Sequence, residues 1–167
     1  MVSQVRKRKI QNKHKALLKQ IKGNMNLNIC QKLLNIGANP NLKDYEEKTP
    51  LHYAAEKGAL DICKLLVSNG AMVNALDIYR ISPLHLALSK NQIDVIEYLL
   101  KNGADLNLKV GLSNKRPLHY ATEKNKLDIC QLLLSNGADP NAKGTCYTKQ
   151  LSILLLQTVN WIFVNCC

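Results

Sequence analysis

A stretch reading Lys-Thr-Pro-Leu-His-Tyr-Ala-Ala-Glu-Lys-Gly begins at Lys48 and returns twice in altered form. His52, His85 and His119 head the three copies, at steps of 33 and 34 residues. Self-similarity at a fixed period specifies a stack of like modules, not a globule closed around one centre. That constraint decides the fold class and argues against an enzyme.

The copies align in register. Thr49-Pro50-Leu51-His52 becomes Ser82-Pro83-Leu84-His85 and then Arg116-Pro117-Leu118-His119. Leu60-Asp61-Ile62-Cys63 becomes Ile93-Asp94-Val95-Ile96 and Leu127-Asp128-Ile129-Cys130. Gly70-Ala71, Gly103-Ala104 and Gly137-Ala138 close the units, and a degenerate earlier copy ends in Leu33-Leu34, Gly37-Ala38 and Asn41. Each unit reads as helix, turn, helix, loop. The hydroxyl of Thr49 or Ser82 is placed to cap a first helix, and a proline follows at the position where no N–H is missed. Leu51, Ala54 and Ala55 give that helix a thin apolar face. Gly58 breaks it, and Asn91 and Asn125 do so in the later copies, since both types tolerate left-handed backbone. Ile62, Cys63, Leu65 and Leu66 recur at helical spacing on a second helix, which ends at Asn69-Gly70.

These features resemble the ankyrin repeat family, whose T-P-L-H-x-A signature and length they match. The resemblance spans about residues 13–143, in four helix pairs: 13–43, 44–76, 77–109 and 110–143. It implies an all-α solenoid of stacked helix-turn-helix units with β-hairpin or loop tips. Two departures stand out. Glu47 and Arg80 replace the usual tip glycine, so the tip must use another turn or carry strain. The third full copy gains one residue before Pro117 and has Arg116 in place of the capping hydroxyl, a loss of about 1 kcal/mol. The segment from Val110 to Arg116 reads as drift in preference to a specialised finger.

The formal charge of +11 is concentrated at one end. Residues 1–43 hold ten lysines and arginines and no acid, whereas the remainder is nearly neutral with 13 basic and 12 acidic residues. Residues 1–12 read as a basic arm. Arg6-Lys7-Arg8-Lys9, with Lys13 and Lys15, forms a cluster that suits nucleic acid, acidic lipid or an import receptor. A solvated arm is the preferred reading, because no aromatic side chain interleaves to stack on bases. Cys30, Cys63 and Cys130 share one helical register. Packed helices lie about 8–10 Å apart, too far for a disulfide or a shared zinc ion. They read as core hydrophobes in a reducing compartment. The repeat histidines fail the same spacing test for a metal site and are expected to bond neighbouring loop backbone. His14 has no evident partner. No signal peptide is visible. A cytoplasmic location is expected, with export into a host cell and nuclear entry as alternatives. Abundant lysine and asparagine suggest an AT-rich genome.

Beyond residue 143 the pattern is lost. Read two bases on from Lys149, the permitted codons contain Leu-Asp-Ile-Cys-Gln-Leu-Leu, the same string as Leu127–Leu133. Residues 144–167 are therefore expected to be a fifth repeat read out of frame. A membrane anchor is the weaker reading: the 14 residues Leu151–Val164 fall short of the roughly 20 a span requires. Cys166-Cys167 resembles the ends of prenylated small GTPases, yet no GTPase motif accompanies it.

The chain has no G-x-x-x-x-G-K-[ST], H-E-x-x-H or G-x-S-x-G motif, and no cofactor or metal is expected. The resemblance implies a monomeric scaffold that binds another protein on a concave face of hairpin tips and first helices. Carried over by position, the candidates are Tyr45, Glu46, Lys48, Glu56 and Lys57 in the first full copy. Ile78, Tyr79, Ile81, Ser89 and Lys90 follow in the second, and Leu112, Ser113, Lys115, Glu123 and Lys124 in the third. Tyr45 and Tyr79 lead as anchors, since tyrosine joins a large apolar ring to a polar handle. Ile78 and Ile81 either extend that surface or pack against adjacent tips. The competing reading of the whole chain is a truncated remnant of a longer repeat protein, without a selected function.

Overall fold

The computed structural model describes residues 2–109 and 115–140, with side chains from residue 12 onward. Eight α-helices and no strand form among the described residues. They are α1 (Val2–Lys22), α2 (Leu27–Asn35), α3 (Pro50–Glu56), α4 (Leu60–Ser68), α5 (Pro83–Ser89), α6 (Ile93–Lys101), α7 (Pro117–Glu123) and α8 (Leu127–Ser135). The chain forms two compact units, Met1–Ala104 and Asp105–Cys167. The expected out-of-frame tail and the pair Leu112 and Ser113 lie outside the described residues.

In the first unit each helix pair leans on the next. α3 packs against both α1 and α5, and α4 against both α2 and α6. Leu51, Ala54, Ala55, Leu66 and Leu84 are buried in this stack, as are Ile96 and Leu99. Each fully buried leucine or isoleucine contributes about 1.5–3 kcal/mol, which no lone hairpin can collect. Cys30 and Cys63 sit in the same core as free thiols, and burial pushes the Cys63 thiol up to about 12. In the second unit α7 packs on α8, over Leu118, Ile129 and Leu133. Cys130 is buried there too, with its thiol raised to about 11 by burial.

Helix lengths follow from proline. Pro50, Pro83 and Pro117 begin the short first helices, each after an extended residue. The register equivalent in the degenerate copy is Leu17, which leaves α1 free to run 21 residues. The division between an arm and a repeat domain at residue 12 thus falls inside one helix. The extension has consequences for the sequence reading of His14: it does have a partner, because Nδ1 accepts the Asn39 backbone N–H at 2.7 Å. Lys13 Nζ donates to the Ile36 carbonyl at 2.9 Å. Together they hold α1 against the end of α2.

The turns between paired helices pass through left-handed backbone. Gly58, Asn91 and Asn125 have φ of 70°, 58° and 52°, as their residue types suggest. Met25 takes the same conformation at φ 51° without any such signal. A Cβ on Gly58 would meet only the far end of the Gln92 side chain, which can move aside, so glycine there answers to the left-handed backbone. At the tips Glu47 and Arg80 hold φ of 57° and 60°. The tips keep the glycine conformation and carry the strain.

The capping expectation needs correction at Ser82, where no side-chain cap bond forms. Its hydroxyl instead lies 2.7 Å from His85 Nδ1. Thr49 and His52 form a reciprocal capping box. In it, His52 Nδ1 accepts the Thr49 backbone N–H at 3.0 Å, with the Thr49 hydroxyl 2.8 Å from the same nitrogen. A backbone N–H can only donate, so the proton of this imidazole is on Nε2. From there it donates to the Ile81 carbonyl at 3.0 Å, tying one unit to the tip of the next.

Candidate functional site

The tips are built by two aspartates at one register. Asp44 Oδ1 accepts the backbone N–H groups of Glu46 and Lys48, both at 3.0 Å. Asp77 Oδ1 accepts those of Tyr79 and Ile81, at 2.9 and 2.8 Å. Each tip closes with a backbone bond, Asp44 N–H to Lys48 and Asp77 N–H to Ile81, both 3.1 Å. A further bond runs between tips, from the Ile78 N–H to the Glu46 carbonyl at 3.1 Å. Lys43 Nζ adds a second tie, donating to the Leu76 carbonyl at 3.1 Å.

The second carboxylate oxygen separates the two tips. Asp44 Oδ2 accepts from Lys22 Nζ at 2.6 Å and from the Tyr53 hydroxyl at 2.5 Å. Burial alone would raise the Asp44 carboxyl. The Lys22 and Tyr53 bonds, with the two backbone donors, outweigh it and hold the group at about 2. The Lys22 ammonium also lies 4.8 Å from the Tyr53 ring centre and 5.2 Å from that of Tyr45. At the second tip the register equivalents of Lys22 and Tyr53 are Ala55 and Leu86, and Asp77 Oδ2 is buried without a hydrogen-bond partner.

The candidate residues divide by what they touch. Tyr45, Tyr79 and Ile78 stand on the tips with 84%, 58% and 49% of their surface exposed. Ile81 is half-buried, with its N–H on Asp77. Glu46 pairs with Lys48 at 2.9 Å, within one tip. Glu56 and Lys90 lie 3.8 Å apart, on neighbouring first helices. Lys57 is occupied in closing α1, donating to the Lys22 and Gly23 carbonyls at 2.7 and 3.0 Å. Ser89 donates to the Leu86 carbonyl of its own helix at 2.8 Å. In the second unit Lys115 Nζ bonds Glu123 Oε2 at 2.6 Å, and Lys124 is exposed. The structure thus gathers the tip residues of the first two full copies, ties Lys57 to the end of α1 and assigns Ser89 to its own helix.

Sequence reasoning missed Lys22, Asp44, Tyr53 and Asp77. A signal existed for the aspartates: each stands four residues before the end of its tip, where a carboxylate bonds the chain two residues on. Lys22 offered none, because its register carries alanine and leucine in the next copies. Among the described residues no three His, Cys, Asp or Glu side chains gather as a metal-ligand set. No described helix is long and apolar enough to cross a membrane.

The repeating helix pairs define an all-α solenoid protein built on a helix-turn-helix module. A family model of three consecutive ankyrin repeats matches residues 14–110, and a single-repeat model matches residues 114–145. The chain belongs to the ankyrin repeat family. Members of that family generally serve as protein–protein interaction modules and are typically non-catalytic. No curated protein matches the chain.

Proposed function

We propose that this protein is a non-catalytic scaffold that binds another protein through the hairpin tips of its first unit. Tyr45 and Tyr79 are the anchors, with Ile78 as apolar support and Glu46, Lys48, Glu56 and Lys90 as a polar surround. The observation that carries this reading is the exposure of two tyrosines on tips already locked by carboxylate and backbone bonds. A partner then spends little free energy on ordering the loop, which is where preorganised sites gain affinity. The adjacent charged pairs belong to the rim, where they set rate and choice of partner more than affinity. Lys115, Glu123 and Lys124, with Leu112 and Ser113, are a separate candidate set within the second unit. The buried free thiols fit a reducing compartment, and we place the protein in cytoplasm.

The test is capture of partners from source-cell lysate by the full chain and by its Tyr45→Ala/Tyr79→Ala form. Loss of an interface anchor typically costs at least about 2 kcal/mol, so the double variant should recover specific partners more than tenfold less well. Undiminished recovery of every partner would remove the tips from the binding face.

A further inference from the structure

Ile29 of α2 is 42% exposed, whereas the residues at its register in the next second helices, Ile62 and Val95, are 3% and 1% exposed. The side chains are alike; the neighbours differ. α2 covers α4 and α4 covers α6, but among the described residues no helix covers the corresponding flank of α2. Leu27 provides the contrast. It is 43% exposed, but its equivalents Leu60 and Ile93 are half-buried and Leu127 is 51% exposed, so burial at that register follows the neighbour far less closely than at Ile29. Leu33 is half-buried where Leu66 and Leu99 are fully buried. Ile36, 62% exposed, ends α2 where Asn69 and Asn102 end α4 and α6 by donating to their own helices at 2.8 and 2.7 Å. Ile29, Leu33 and Ile36 stand at i, i+4 and i+7, a continuous apolar stripe. Terminal units of a repeat stack ordinarily turn a polar face outward.

Charge identifies what covers the stripe. Lys32 lies exposed between its members, at the register of the buried Leu65 and half-buried Tyr98. Asn28 replaces the Asp61 and Asp94 of the later copies, and the first turn of α2 has no acid. Nor does any of residues 1–43, which carry ten basic side chains. A second copy of this chain would bring the same charge to the same place, within a screening length of about 8 Å.

We infer that the open flank of α2 is a docking stripe for an amphipathic helix of an acidic partner protein. That helix lies on α2 as α2 lies on α4, continuing the internal repeat interface outward. Its apolar side chains cover Ile29 and Ile36, and a carboxylate meets Lys32.

The probe is a synthetic helix of about 18 residues, five turns, with leucines at i, i+3, i+4 and i+7 between glutamates. A control peptide has lysine for every glutamate. Binding is followed by amide shifts of the isotope-labelled full chain. The acidic peptide should move resonances of α2, weaken with added salt, and leave those of Tyr45 and Tyr79 in place; the lysine peptide should move neither. Ile29→Ser/Ile36→Ser should weaken binding at least about tenfold, since each side chain covers apolar area worth more than 1 kcal/mol. Lys32→Glu, an exposed charge reversal that leaves the core alone, should weaken it independently. Three results overturn the inference: equal binding of both peptides, shifts confined to the tips, or a dimer of the free chain that Ile29→Ser/Ile36→Ser dissolves. None of these touches the tyrosine test of the tip face.

Discussion

His52 joins three structural tasks in one ring. It receives the amide that opens α3, meets the Thr49 hydroxyl, and donates to the tip carbonyl of Ile81. The first of these requires a bare Nδ1 and hence the neutral imidazole, and burial lowers the ring's proton affinity, partly opposed by the Ile81 bond. An unfolded chain takes the proton near the ordinary value of 6.5, while the folded chain refuses it until the pH is lower. Below 6.5 protons therefore favour the unfolded state; above it this group contributes no pH dependence. The slope is at most about 1.4 kcal/mol per pH unit. Urea midpoints should be level from pH 8 to 7 and fall toward pH 5, with a smaller fall in His52→Gln. A flat or rising midpoint on acidification contradicts the assignment. Asp77 makes a second residue-scale case. Its Oδ2 lacks what Tyr53 gives Asp44, because Leu86 occupies that register. Leu86→Tyr should supply the donor and raise stability by about 1 kcal/mol, measured by urea unfolding. An unchanged or lowered midpoint would mean the second tip cannot seat the ring. The motif that contains His52 is plain in the sequence, but its partners are not. Ile81 lies 29 residues away, and only stacking brings its carbonyl to the ring.

At the scale of elements, the sequence marks where helices begin and end more clearly than how they close. Proline, the turn asparagines and the paired leucines delimit α3 to α8, and their absence lets α1 run on. Capping proved less legible, because a hydroxyl suited to an amide can equally serve a histidine one turn away, as at Ser82. The tips show the same limit. A missing glycine allowed either a new turn or strain, and the inter-tip bond from Ile78 to Glu46 holds the old geometry in place. Arg80, at φ 60°, carries that strain with no ion pair among the described side chains to compensate it, whereas Glu47 bonds Lys43 at 2.9 Å. Left-handed backbone costs a non-glycine residue roughly 1–2 kcal/mol, of which the flexibility of glycine in the unfolded chain returns a part. Arg80→Gly should therefore gain about 1 kcal/mol in denaturant unfolding while Tyr79 keeps its exposure. Destabilisation would show that the arginine stem contributes packing that outweighs its backbone.

For the molecule as a whole, the joints between successive pairs set how the first unit comes apart. The stack was legible from its period because like modules bury like faces; the polar ties across each joint were not, since asparagine in a loop has many uses. Asn41 Oδ1 accepts the Met72 N–H at 2.7 Å and its Nδ2 donates to the Gly70 carbonyl at 2.9 Å. Asn74 repeats the second bond one module on, to the Gly103 carbonyl at 2.9 Å. Stability of a repeat stack is a sum of unit terms and nearest-neighbour terms, so removing one tie should act locally. Asn41→Ala deletes two bonds at the first joint, a loss of about 1–3 kcal/mol. Because among the described helices the α1–α2 pair packs only on the α3–α4 pair, it should open first. Hydrogen exchange should then speed up in α1 and α2 by the full amount while α5 and α6 keep most of their protection. An equal loss in all six helices would mean that the unit unfolds in a single step and that the joints do not act as separable contacts.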